Sequence, residues 1–251
     1  MEIGGYSMKE KVIYEVLRVI DGKPIFLEAH IKRMKNSFKL VDREFPLRID
    51  DIYSKIDELI KKEKKTIGNI KLTYGLDTKK LEIFFIKHSY PSEELYERGV
   101  KTILYFGERS NPNAKIVNDD FRSKVNEEIR KNDAYEAILV DRNGYITEGS
   151  KSNIFMIKEG KLITSPAKAV LPGVTRGKII DIAHSIGITV IEKEYSFKEI
   201  DKLEGMFISG TSPKVLPINQ VDLVKLNPNN TIIRTIMDEY NNEILNYVKN
   251  Q

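Results

Sequence analysis

A lone lysine, a glutamate among small residues and two turns rich in donor groups follow one another in the second half of the chain. They are Lys115, the run Thr147-Glu148-Gly149-Ser150-Lys151-Ser152-Asn153, the run Leu171-Pro172-Gly173-Val174-Thr175-Arg176, and Ser209-Gly210-Thr211-Ser212. A partly desolvated lysine can form a Schiff base with an aldehyde and then shuttle protons. A carboxylate such as Glu148 can keep a pyridine nitrogen protonated, which makes the ring an electron sink. Gly173-Val174-Thr175 opens a helical segment, and a helix N-terminus offers a phosphate unpaired N–H donors and the positive end of a dipole. Gly210-Thr211, directly after a strand, can add donors to the same anion. Together the set could hold an anionic aromatic aldehyde, which points toward pyridoxal phosphate chemistry.

Each piece alone has a plainer reading. Lys115 would be a surface charge, Glu148 a turn glutamate facing water, the Gly173 run a capped helix with Thr175 as N-cap, and Gly210-Thr211 only a turn. The combination favours the cofactor.

The chain has 251 residues, 41% of them apolar, enough for one large or two moderate domains with an ordinary core. It has no cysteine, which excludes disulfides, thiolate metal sites and thiol nucleophiles and leaves a soluble cytoplasmic protein as the default. No apolar run approaches membrane-spanning length, and Met1-Glu2-Ile3-Gly4-Gly5-Tyr6 lacks signal-peptide features. The net charge of +4 is spread along the chain, which argues against nucleic acid as a partner. Lys61-Lys62-Glu63-Lys64-Lys65 reads as the solvated end of a helix, where positive charge complements the dipole.

To position the chemical residues, the first ninety residues supply a strand over 12–20, a turn at Asp21-Gly22 and renewed extension through Ile25-Phe26-Leu27. A helix over 29–40 follows, then a second helix with the stripe Ile52, Ile56, Leu59 and Ile60, and strands over 69–76 and 80–86. His88-Ser89-Tyr90-Pro91-Ser92 breaks the periodicity and reads as a linker, dividing a small α/β domain, 1–90, from a larger one, 91–251. Beyond it come a strand over 99–106, a helix over 119–131 burying Phe121, Val125 and Ile129, and strands over 136–140, 145–147, 153–157 and 161–164. Asn143-Gly144 and Glu159-Gly160 supply hairpin turns. A helix over 175–186, with Ile179, Ile182, Ala183 and Ile186 on one face, ends at Gly187. Strands over 188–195 and 206–209 precede a final helix over 231–248. His30 ahead of the first helix, His88 in the linker and His184 in a helix lack metal-site spacing, so no catalytic metal is expected.

At these residues the chain resembles the fold-type IV pyridoxal-phosphate enzymes: branched-chain aminotransferases, D-amino-acid aminotransferases and 4-amino-4-deoxychorismate lyases. The similarity spans nearly the whole chain and preserves order and spacing. It is carried by Tyr14-Glu15-Val16 with Asp21-Gly22-Lys23, His30-Ile31-Lys32-Arg33, Tyr135-Glu136-Ala137-Ile138-Leu139, the Glu148 run, Leu171-Pro172-Gly173-Val174-Thr175-Arg176 and Ser209-Gly210-Thr211. The resemblance implies a two-domain α+β or α/β fold with pyridoxal 5'-phosphate between the domains, near a homodimer interface. It makes Lys115, twenty-one residues before Glu136, the Schiff-base lysine and proton carrier. It makes Arg33 a phosphate ligand, although sequence alone leaves it equally a helix arginine paired with an acid. Glu148 becomes the partner of the ring nitrogen and Leu171 the support under the ring. Gly173, Val174, Thr175, Gly210 and Thr211 become phosphate contacts. Tyr14 becomes a substrate contact, with a core tyrosine as the alternative.

Three departures stand out. The family's Gly-Asp-Gly opening is replaced by Lys9-Glu10-Lys11-Val12-Ile13. Asp120 occupies the place of a tyrosine that contacts the cofactor's phenolic oxygen in branched-chain enzymes. The short turn Gly75-Leu76-Asp77-Thr78 replaces the Arg-x-His loop of D-amino-acid enzymes. The implied activity is amino-group transfer between an amino acid and a 2-oxo acid. The alternatives are the lyase, forming p-aminobenzoate and pyruvate, and a non-catalytic relative that keeps the fold as a structural dimer.

Overall fold

The computed structural model describes residues 11–109, 111–117 and 119–251. Residues 1–6 and the pair Lys9-Glu10, on which the expectations about a leader and an altered opening rest, lie outside the described residues.

The N-terminal sheet comprises Val12–Ile20 (β1), Lys23–Pro24 (β2), Gly68–Gly75 (β3) and Leu81–Ile86 (β4), antiparallel in the order β2-β1-β3-β4. Leu27–Lys39 (α1) and Ile49–Glu63 (α2) connect β2 to β3. Asp21 and Gly22 take the left-handed conformation a tight turn needs, with φ of 51° and 73°. The expected extension through Ile25-Phe26-Leu27 does not form. Pro24 has no N–H to continue the ladder, Phe26 is left-handed (φ 55°), and α1 starts at Leu27. Tyr247 Oη accepts the Leu27 N–H at 3.3 Å in place of a side-chain cap. The Phe26 ring packs edge-on against Tyr240 and Tyr247. His30 lies within α1, not ahead of it.

Leu27, His30, Ile31, Arg33, Met34, Ser37 and Phe38 recur at helical spacing and form the buried stripe of α1. Its apolar members Leu27 and Ile31 join Leu17, Val19, Ile52, Ile56, Ile70 and Leu72 in one core. Each such side chain contributes about 1.5–3 kcal/mol of burial. Arg33 and His30 are thereby drawn into the interior, where they require partners.

The remaining elements are Glu93–Arg98 (α3), Val100–Phe106 (β5), Asp119–Lys131 (α4), Glu136–Val140 (β6), Ile146–Gly149 (β7), Asn153–Lys158 (β8), Lys161–Thr164 (β9), Val174–Ser185 (α5), Val190–Glu192 (β10), Gly205–Gly210 (β11), Lys214–Val221 (β12), Val224–Lys225 (β13) and Thr231–Lys249 (α6). Their sheet runs β10-β9-β8-β11-β12-β5-β6-β7, and β7 pairs back onto β8 through Glu148 and Asn153. The strands from β8 round to β7 thus close into a barrel. Along β8 the residues alternate: Ile154 and Met156 enter one core cluster, Phe155 and Ile157 another, which α5 and α6 cover with Ile179, Ile182, Ile233 and Ile236. Val125 of α4 packs on Ala137 and Leu139 of β6, joined by Phe121 and Ile129 as expected.

Several expectations need correction. Glu148 stands inside β7, not between strands, because Ile138 pairs with Gly149 and Glu148 with Asn153 on either side. The strand expected over 188–195 shortens to β10, paired only with β9. Ile186 is exposed because α5 ends at Ser185 and Gly187 turns the chain away with φ 78°. Helix α3, capped by Ser92 Oγ accepting from Leu95 N, and strand β12 are additional to the sequence reading.

Candidate active site

A cavity of about 540 Å³ opens between the first sheet and the rim of the barrel. Tyr14, Arg33, Lys115, Glu148, Leu171, Gly173, Val174, Thr175, Gly210 and Thr211 all line it, so the structure brings every candidate residue to one place. Lys87 lines it too, with His88 and Ser89 from the run read as a linker.

Lys115 belongs to no regular element, yet its backbone is pinned. Its carbonyl accepts from Tyr14 N–H at 3.1 Å, its N–H donates to Ser37 Oγ at 3.2 Å, and Ile116 bridges to Ile13. Strand β1 and helix α1 therefore fix where the amine starts. Its Nζ lies 4.7 Å from the centre of the Tyr14 ring. Burial pushes the Lys115 amine below the ordinary lysine range, as do Arg33 and Arg109, while Tyr14 and Glu15 pull the other way. A lysine so placed holds a neutral amine more readily than a surface lysine does.

On the opposite face of β1, Glu15 receives a two-pronged contact from Arg33, Nε to Oε1 at 2.8 Å and Nη2 to Oε2 at 2.6 Å. His30 Nδ1 is 2.9 Å from the same Oε2. Burial opposes ionisation of Glu15, but Arg33 and His30 outweigh it and bring the carboxyl down to about 2. His30 is itself lowered, burial prevailing over Glu15, so its neutral ring donates to the carboxylate through Nδ1. Arg33 takes the reading of a helix arginine paired with an acid, which holds two of its nitrogens, and it lines the cavity, with Nη1 3.5 Å from Pro172 O.

Glu148 is buried, contrary to the turn-glutamate reading. Burial raises its carboxyl, with Arg109 foremost among the opposing groups. Arg109 Nη1 donates to Oε1 at 3.0 Å and Leu171 N–H to Oε2 at 3.0 Å. Two donors aimed at two oxygens suit a carboxylate. Below it, Glu136 accepts from the backbone or hydroxyl groups of Ser150, Lys151 and Ser152 and so shapes the turn joining β7 to β8.

The turn before α5 is held by Asn153, whose Nδ2 donates to Leu171 O at 2.9 Å. A Cβ at Gly173 would lie 2.0 Å from Asn153 Oδ1, so only glycine allows this approach. Gly173, not Thr175, is the N-cap of α5, and no side chain caps the helix. Thr175 lies in the first turn, its Oγ1 accepting from Tyr240 Oη at 3.3 Å. Thr211 Oγ1 donates to Val16 O at 3.2 Å, and the buried Ser209 Oγ has no hydrogen-bond partner among the described residues.

Arg122 of α4 donates from Nη2 to Tyr14 Oη at 2.9 Å. Burial raises the Tyr14 phenol, yet Lys115 and Arg122 outweigh it and bring it down to about 8. Asp120, two residues earlier, is exposed. Sequence reasoning missed Arg109, Arg122, Ser37 and Asn153 as site residues. Asn153 had a weak signal in the small-residue run after Glu148; the two arginines had none that separates them from surface charge.

Residues 12–221 match the model of the family described as Amino-transferase class IV. The chain is 28% identical over 238 residues to the branched-chain-amino-acid aminotransferase of Escherichia coli K12, covering 85% of this chain and 77% of the relative. The crystal structure of the Escherichia coli branched-chain aminotransferase is similar with a TM-score of 0.82 at 24% identity, covering 93% of this chain and 86% of that one. A Legionella pneumophila structure assigned as 4-amino-4-deoxychorismate lyase has a TM-score of 0.83 at 22% identity, covering 93% and 91%. Both structures share the fold of a mixed α/β sheet and closed barrel. With the family match running from β1 through β12, the chain belongs to the class IV aminotransferases.

Proposed function

We propose that this aminotransferase binds pyridoxal 5'-phosphate in the cavity between sheet and barrel and moves an amino group between an amino acid and a 2-oxo acid. The observation that carries the reading is the meeting of Lys115, Glu148, Arg33 and the uncapped start of α5 around one space. The residues fit the cofactor. Lys115, with its amine lowered, and the buried Glu148 line the same cavity, Gly173 leaves no room for a side chain beside Asn153, and the Ser209 hydroxyl on the lining has no partner among the described residues.

Arg33, the first-turn N–H groups of α5 at Val174 and Thr175, and the turn at Gly210 and Thr211 would bind the phosphate. Leu171 would support one face of the ring, and Glu148 would hold a proton on its nitrogen. When bound, pyridoxal phosphate supplies an aldehyde that condenses with amines and a ring that withdraws electrons from the substrate Cα. Lys115 Nζ, its pKa lowered by burial, would hold the aldehyde carbon between turnovers and carry the proton from Cα during them. Tyr14 would border the substrate. In this reading residues 1–90 and 91–251 act as two units with the cofactor between them, and the protein works as a cytoplasmic homodimer. The branched-chain relatives support branched-chain amino acids as the first substrates to try.

The test is a half-reaction. An amino acid alone should convert bound cofactor to its aminated form, and a 2-oxo acid should restore the starting absorption. Turnover of aminodeoxychorismate to p-aminobenzoate with no aminated cofactor from any amino acid would replace transamination with the lyase reaction. Stoichiometric cofactor with neither reaction would leave a structural dimer.

A further inference from the structure

Three guanidinium groups line the cavity, and they are not equally engaged. Arg33 is held by the two oxygens of Glu15. Arg109 is spent on Glu148 and on the carbonyl oxygens of Pro112 and Ala114. Arg122 has one hydrogen-bond partner among the described residues, the Tyr14 hydroxyl. A guanidinium offers five N–H donors in a planar fork that matches a carboxylate, and a phenol oxygen uses only part of it.

The surrounding charge points the same way. Among the described residues, Lys87, Lys115 and Lys151 also line the cavity, against two carboxylates, Glu136 and Glu148. Glu136 is consumed by the turn joining β7 to β8, and Glu148 by Arg109 and Leu171. The depressed Tyr14 phenol, at about 8 in spite of burial, registers this surplus of positive charge. A cavity of this kind calls for an anion at the Tyr14 end.

That anion is distinct from the phosphate. Tyr14 and Val16 share one face of β1 and stand roughly 6.6 Å apart along the strand. Thr211, of the turn assigned to the phosphate, reaches the backbone at Val16, whereas Arg122 reaches the Tyr14 hydroxyl. The Lys115 amine, which a substrate's amino group would displace from the cofactor's aldehyde carbon, lies against the ring of that same tyrosine.

We propose that Arg122, oriented by the Tyr14 hydroxyl, binds a carboxylate of the incoming amino or oxo acid and selects carboxylic substrates over plain amines. The proposal rests on the reading of this cavity as the aminotransferase site. It makes Arg122 a specificity residue supplied by α4.

The experiment titrates purified protein, with pyridoxal phosphate added, with the unreactive acids pentanoate and glutarate and with butylamine, by calorimetry. Wild type is compared with Arg122→Gln and Arg122→Lys. Loss of a charged hydrogen-bond pair should weaken acid binding about 10- to 100-fold in Arg122→Gln. Arg122→Lys should recover part of it, and butylamine binding should not change. In steady state the acid substrate's KM should rise more than kcat falls. Unchanged acid affinity in both variants, or an equal loss for butylamine, would overturn the proposal and reduce Arg122 to a support for Tyr14. Should Arg122→Gln not fold, a partial loss in Arg122→Lys at unchanged thermal stability still supports the proposal, and no loss overturns it. Cofactor uptake is read separately by absorbance. A wild type that takes up none overturns the function proposed above, while the titrations still judge Arg122.

Discussion

Arg109 Nη1 lies 3.0 Å from Glu148 Oε1, and the two side chains come from a loop and a barrel strand thirty-nine residues apart. The contact opposes the rise that burial imposes on the Glu148 carboxyl and favours its charged form. A carboxylate beside a pyridine nitrogen sustains ring protonation only while it is itself ionised. Arg109→Gln should therefore raise the Glu148 carboxyl further. The acid limb of kcat against pH should move upward accordingly, with cofactor content little altered. A pH profile that overlays wild type would show that Arg109 does not govern Glu148.

The Glu15–Arg33 pair ties acid stability to the site. Glu15 is lowered in the folded protein to about 2, so it contributes stability that is present above its unfolded pKa and lost as pH falls through the folded value. The shift corresponds to roughly 3 kcal/mol. His30, lowered by burial, adds in the same direction, because the unfolded chain takes up its proton first as the solution is acidified. Chemical denaturation across pH 7 to 3 should show stability falling steadily, and Glu15→Gln should flatten the fall while lowering stability at pH 7. A wild-type profile as flat as the variant's would contradict this.

Much of this arrangement was legible in the sequence. The stripes of α2, α4 and α6 have clear helical spacing, and Glu159-Gly160 turns with both residues left-handed, as a tight hairpin requires. The motif residues converge because most lie on elements whose pattern is strong, Tyr14 on β1, Arg33 on α1 and Thr175 on α5, while Lys115 is held between β1 and α1. What remained hidden depends on pairing at a distance. Arg122 finds Tyr14 across 108 positions, and nothing in the charged pattern of α4 marks it out. Strand β12 was obscured by Pro217 and by the irregular register between Ile218 and Gln220. Helix α3 has only six residues, too few to show a period. Glu148 was read as a turn residue because closure of the barrel at β7 and β8 rests on a single pairing, Glu148 with Asn153.

Gly173 offers a steric test of the cradle. In Gly173→Ala the new methyl would meet Asn153 Oδ1, forcing the segment before α5 to shift. Overpacking of this kind costs about 1–3 kcal/mol. Cofactor affinity, measured by absorbance titration, should drop about tenfold or more. Asn153→Ala in the same chain should restore part of the loss in packing, although it also removes the bond to Leu171 O. An alanine variant with wild-type affinity would mean that this turn does not grip the cofactor.

Tyr14 should titrate early. With its phenol at about 8, the near-ultraviolet absorbance of phenolate should show a first step near pH 8, ahead of the remaining tyrosines. Tyr14→Phe should abolish that step, and Arg122→Gln should move it upward because a cation next to the phenolate is lost. A single late transition in wild type would place Tyr14 in an ordinary environment.

The proposed function requires Lys115 to be the amine through which this chain holds pyridoxal phosphate. The measurement is the visible spectrum of the purified protein with added cofactor, before and after borohydride, followed by peptide mapping, alongside Lys115→Ala. Wild type should show a yellow band that borohydride removes while fixing cofactor covalently to Lys115, and the variant should show no fixation. Fixation at another lysine, or a band indifferent to the substitution, would contradict it.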